Sequence, residues 1–106
     1  DVDHGDKQKN YYNANPYNWI QELAKHSYCL HLKQVKKNYH SSHLCFTKKN
    51  NKSGIIKANK IINILEALNL NNMNLVLEHS FKERSSVENN LISDLKESIK
   101  YWKDNI

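Results

Sequence analysis

Apolar side chains recur at helical intervals in several stretches of this chain, and polar runs separate the stretches. Trp19, Ile20, Leu23 and Ala24 form one stripe, opened by Asn18 with Gln21 three residues on, the arrangement of a capping box. Tyr28, Leu32, Val35 and Tyr39 step by four, three and four, and His43 and Phe46 carry the rhythm on. The pattern therefore predicts helix over 18–46, either unbroken or bent near Ser27. Ile61, Ile64, Leu65 and Leu68 make a further stripe, ended by the polar "NLNN" at 69–72. "MNLVLEHSF" reads as a short helix around Met73, Val76 and Leu77. The last stripe is Val87, Leu91, Leu95, Ile99 and Trp102, with Ser85 and Glu88 as its capping box. Residues 1–17 lack any period and end near Pro16, so they read as a flexible arm ahead of one helical domain at 18–106.

Glycine and proline sharpen this picture. The chain has 2 Gly and 1 Pro, too few for a sheet of tight hairpins. The expected fold is all-α, a small bundle of four to five helices. At 106 residues, 39% hydrophobic and 25% charged, the chain suits one small domain. No apolar run approaches the ~20 residues that cross a bilayer, and no signal-peptide pattern opens the sequence. The expected location is the cytoplasm, near the cytoskeleton, with secretion left open.

A net charge of +5 raises nucleic acid as a partner, but Arg84 is the only arginine among the 16 basic residues. Base edges and phosphate forks are read mostly by arginine. A chain rich in Lys, Asn and Ile also reflects AT-rich codons, so a basic nucleic-acid-binding domain stands as a lesser alternative.

Cysteine and histidine bunch in "CLHLKQVKKNYHSSHLC", which holds Cys29, His31, His40, His43 and Cys45. These are zinc-type ligands, yet their spacing fits no closed zinc motif. Small buried thiols and surface imidazoles account for them without a metal, and a Cys29–Cys45 disulfide is the third option. No metal and no cofactor is expected. The chain has no P-loop, no G-x-S-x-G and no H-E-x-x-H, so enzyme chemistry is not expected either. Glu22, Glu66, Glu78 and Asp94 fall on predicted helices as exposed acids.

The stretch "NKSGIIKANKIINILEALNL" has the outline of an EF-hand: polar loop, central Gly54, isoleucine pair, exiting helix. With Gly54 in the sixth slot the loop is 49–60, and Ile56 takes the eighth slot, where paired loops bridge. A hard cation needs several oxygens and usually a closing Glu, whereas Lys49 and Lys60 occupy the first and last slots. Calcium binding is therefore excluded. A partner loop centred on Val87 would span 80–91 and is equally short of ligands.

"CFTKKNNKSGIIKANKIINILEALNL" and "SVENNLISDLKESIKYWKDN" resemble the degenerate EF-hand lobes of myosin light chains, notably the apicomplexan myosin A tail-interacting type. That resemblance covers the chain from Phe46 onward. It implies a calcium-independent, non-enzymatic module that grips an amphipathic helix such as a myosin neck or tail segment. Leu65, Leu68, Met73, Leu77, Leu95 and Trp102 would line its groove. "GIIKANKIINILEALNLNNMNLVLEHS" also resembles the LisH motif of centrosomal FOP-type proteins, which implies a helical dimer around Leu65, Leu70 and Leu77. Monomer and homodimer both stay open.

Overall fold

The computed structural model describes residues 15–36, 43–78 and 91–106. These contain four α-helices, a short 3-10 turn and two parallel strands. The order is α1 (Pro16–Leu23), a turn at Ala24–His26, β1 (Cys29–Leu32), α2 (Lys48–Ser53), α3 (Ala58–Ala67), β2 (Asn74–Leu77) and α4 (Leu91–Asp104). The fold is mixed α/β, which corrects the all-α expectation. Two stretches read as helical are strands: Cys29–Leu32 within 18–46, and Asn74–Leu77 within "MNLVLEHSF".

The glycine count failed for a physical reason. Scarce glycine argues against hairpins, but parallel strands are joined by a long crossover that needs no tight turn. Here α2 and α3 lie in that crossover. The register pairs Cys29 with Asn74, Leu30 with Leu75, His31 with Val76 and Leu32 with Leu77. Partners 45 residues apart along the chain leave no local trace, and a four-residue strand is too short to reveal its own period.

Helix α1 starts two residues before the domain boundary read from the sequence. Asn15 caps it by accepting the Tyr17 N–H at 2.9 Å, and Pro16 takes the first turn, where its missing N–H costs nothing. Residues 1–14 of the expected arm lie outside the described residues. The would-be EF loop is not a loop. Thr47 caps α2 by accepting the Asn50 N–H, and the helix runs through Lys48–Ser53 to Gly54. Gly54, not Ile56, makes a bridge, pairing antiparallel with Lys36. Val87, the Ser85–Glu88 box and the second loop at 80–91 fall on residues outside the described set, apart from Leu91.

The core joins Ala24, Leu32, Phe46, Ile56, Ala58, Ile61, Ile62, Leu65 and Trp102. Phe46 is fully buried, with the Trp102 ring edge-on at 5.2 Å and the Tyr101 ring stacked at 5.9 Å. Ser98 ties α4 to this centre: its Oγ accepts the Phe46 N–H at 2.9 Å and donates to the Asp94 carbonyl at 2.7 Å. Ile99, expected on the inner face of α4, points outward at 46% exposure, while Ser98 and Trp102 turn in.

Polar side chains hold the crossover in place. Gln34 is fully buried; its Nε2 donates to Asn51 Oδ1 and the Ile56 carbonyl, both at 2.9 Å, and its Oε1 accepts the Ile56 N–H. The N-terminus of α3 has no cap from Lys57. Two distant tyrosines supply it, Tyr17 Oη accepting the Lys57 N–H at 2.9 Å and Tyr101 Oη the Ala58 N–H at 3.0 Å.

Candidate functional site at the carboxyl ends of the strands

Because β1 and β2 run parallel, their carboxyl ends lie at one edge of the molecule, where open parallel sheets generally receive ligands. Leu30 and Leu32 of β1, with Leu75 and Leu77 of β2, pack against or within the core. Side chains alternate along a strand, so Cys29, His31, Asn74 and Val76 face away from it, and all four are exposed. The Glu78 N–H closes the last pair of the ladder, donating to the Leu32 carbonyl at 2.8 Å, and the N–H two residues past Leu32, from Gln34, turns to the Leu44 carbonyl.

Glu78 leaves the end of β2 on the His31 face. Its Oε2 lies 3.6 Å from His31 Nδ1 and its Oε1 lies 3.2 Å from His43 Nε2. His43 arrives because Leu44 and Gln34 exchange two backbone hydrogen bonds of 3.0 Å, folding the chain back beside the end of β1. One carboxylate therefore bridges two imidazoles drawn from separate segments. The Glu78 side chain remains 42% exposed, so a ligand at the strand ends can reach it.

The sequence named both histidines, as metal candidates, but took Glu78 for an exposed acid on a helix. The missed signal is "NLVLE", four strand residues closed by an acid. Of the other zinc candidates, His40 lies outside the described residues, and Cys29 and Cys45 are free thiols, the first exposed. Burial pushes the Cys45 thiol pKa up, and Asp94 adds to the effect. Among the described residues, no group of three or more His, Cys, Asp or Glu side chains is placed to hold a metal ion.

The residues named for a helix-binding groove are placed differently. Leu65 and Trp102 are buried in the core, Leu68, Met73 and Leu77 pack partly buried against it, and Leu95 is half-buried on α4. An open cleft of about 690 Å³ lies between α2 and α4, lined by Thr47, Lys48, Lys49, Asn50, Lys52, Asp94 and Glu97. It shares no residue with the histidine–carboxylate cluster, and Glu97 already accepts the Lys48 N–H at its edge. The chemistry gathers at the strand ends. Among the described residues, no helix is long and apolar enough to cross a membrane.

A short parallel ladder with a carboxylate and imidazoles at its carboxyl edge suits proton-transfer chemistry on a bound small molecule. The chain is similar to the D-erythrulose 1-phosphate 3-epimerase of Brucella abortus, at 30% identity over 107 aligned residues. The alignment takes in the whole of this chain and 34% of that enzyme, so the chain spans about a third of the relative's length. No protein-family model matches the chain. Similarity to an enzyme lends nothing to the expectation of a non-enzymatic module.

Proposed function

We propose that this chain forms part of an epimerase acting on a phosphorylated ketose, and that Glu78 carries the proton in its reaction. The observation behind this reading is the meeting of Glu78 with His31 and His43 at the common carboxyl end of β1 and β2. The likeness to a sugar-phosphate epimerase supports it.

The substrate's chemistry defines what the site must do. In D-erythrulose 1-phosphate, C3 adjoins the C2 carbonyl, so its hydrogen can leave as a proton. The C–H pair becomes the C2–C3 double bond, and the carbonyl pair moves onto oxygen as an enediolate. Inversion follows when an acid on the opposite face of C3 returns a proton and the carbonyl re-forms. The Glu78 carboxylate takes the first proton. Imidazoles against each carboxylate oxygen hold its plane in one orientation, which a base acting on a single C–H bond requires.

The helix-gripping module implied by the light-chain likeness draws less support, because most of its groove residues are used inside the chain. The test of the epimerase reading uses the whole protein and D-erythrulose 1-phosphate in deuterated water. Deuterium is expected at C3 together with the 3-epimer, and Glu78→Gln is expected to lower the rate by about 100- to 10,000-fold. A wild-type protein that leaves the C3 hydrogen in place would sink the reading.

A further inference from the structure

Removing a proton beside a carbonyl leaves negative charge on the carbonyl oxygen, and a carboxylate base cannot stabilise it. We propose that His31 is the catalytic electrophile of this site, its Nδ1–H donating to the C2 carbonyl oxygen as that oxygen becomes the enediolate; the assignment rests on the epimerase reading above.

Three observations carry it. First, His31 stands beside the base, with Nδ1 3.6 Å from Glu78 Oε2. That spacing exceeds the ~2.7–3.2 Å of an N–H···O bond, so the carboxylate does not tie up the ring nitrogen. Second, the two imidazoles of the site differ. His43 Nε2 lies closer to the other carboxylate oxygen, at 3.2 Å, and its side chain is 22% exposed against 59% for His31. The covered ring holds the base, and the open ring faces an arriving substrate. Third, the ladder fixes where both groups start. His31 is paired with Val76, and Glu78 follows Val76 by two residues, so strand alternation sends both side chains to one face.

The substrate's geometry fits this spacing. C2 is bonded to the reacting C3, so a donor to the carbonyl oxygen must stand next to the base without being bonded to it. A bound substrate displaces water from the open ring, and a donor fixed in a water-excluded site acts far more strongly on a developing oxyanion. In the step, Glu78 accepts the C3 proton and the C–H pair forms the C2–C3 double bond. The electrons of the carbonyl π bond settle on oxygen against the His31 N–H. The imidazole proton stays on nitrogen, and re-forming the carbonyl returns the pair. A carboxylate base with an imidazole donor is an established pairing for proton abstraction beside a carbonyl.

The experiment compares the whole wild-type protein with His31→Phe, which keeps a ring but has no N–H, by C3 deuterium exchange and steady-state epimerisation of D-erythrulose 1-phosphate. Circular dichroism checks folding, and if H31F does not fold, His31→Ala is read by the same criteria. The variant is expected to lose at least about 10-fold in kcat with KM moved by less than about 3-fold, the pattern of an interaction made in the transition state. Infrared spectra of the substrate labelled with carbon-13 at C2 read the contact itself. Bound to Glu78→Gln, which halts turnover, the carbonyl stretch is expected below its frequency in free substrate. Adding H31F to that variant is expected to return it towards the free value, a change that a purely structural histidine does not produce. An active wild type whose H31F variant loses less than about 10-fold in kcat, loses chiefly in KM, or leaves the carbonyl band unmoved overturns the role of His31 and leaves the epimerase standing. A wild type without C3 exchange removes both.

Discussion

Single residues hold this structure together through backbone groups that no neighbour in sequence could satisfy. Tyr17 Oη donates to the Ile55 carbonyl at 2.6 Å and accepts the Lys57 N–H at 2.9 Å, joining α1 to the start of α3. Tyr17→Phe strands both groups, and a loss of about 1–3 kcal/mol is expected in chemical denaturation. Desolvation raises the Tyr17 pKa, with Tyr101 adding to the rise and the Lys57 hydrogen bond opposing it. A raised folded value means that the protonated phenol is favoured in the native state. Its contribution is present below the unfolded value near pH 10 and is lost as pH climbs through the folded one. Stability should thus fall more steeply above pH 10 in the wild type than in Y17F, which denaturation midpoints across that range will show. Gly54 has the opposite constraint. A Cβ there would lie 2.1 Å from the buried Gln34 Cδ, so Gly54→Ala must displace a side chain held by several hydrogen bonds. A cost of at least ~1–3 kcal/mol is expected, and a melting temperature equal to wild type would refute it.

At the scale of elements, α4 is fixed to the crossover less by its apolar stripe than by a small polar residue. Ser98 faces Phe46 where a helical stripe would place an aliphatic side chain, and its hydroxyl is the acceptor for the Phe46 N–H. Ser98→Ala removes little volume but leaves that buried N–H unpaired, so a loss of about 1–3 kcal/mol is expected. Ser98→Cys, with a weaker acceptor in the same place, should fall between alanine and wild type. Equal stability of the three proteins in urea would show that the bond contributes nothing. The thiols report on the same region. Cys45 lies beside the buried Phe46 with its pKa raised, so at pH 8 its alkylation should be slow, while exposed Cys29 reacts first. Mass spectrometry of partially alkylated protein reads the order directly.

The whole molecule is organised around one aromatic centre that draws together distant parts of the chain. Phe46 precedes α2, Tyr101 and Trp102 close α4, and Tyr101 also caps α3. A core so interlocked should unfold as one unit. Near-ultraviolet and far-ultraviolet circular dichroism are expected to give coincident urea transitions, and separated midpoints would show independent parts. The same assembly sets the candidate site, because β1 carries His31, the chain folded back along Gln34 carries His43, and β2 delivers Glu78.

What the sequence determined by itself is the local part of this structure. The stripe at Ile61 and Leu65 found α3, the run from Leu91 to Trp102 found α4, and Trp19, Ile20 and Leu23 found α1, because helical periodicity is written within one or two turns. His31 and His43 stood out by residue type alone. Everything that depends on pairing was decided elsewhere. A strand of four residues such as "CLHL" is stabilised by a partner 45 residues away, so its neighbours in sequence cannot reveal it. Glu78 looked like a surface acid until the parallel register laid it beside His31. Gln34 is polar and yet fully buried, because the chain folds back to satisfy its amide. Periodicity reports which face of an element is apolar. Only the tertiary fold brings the ends of distant elements together, and the site is made there.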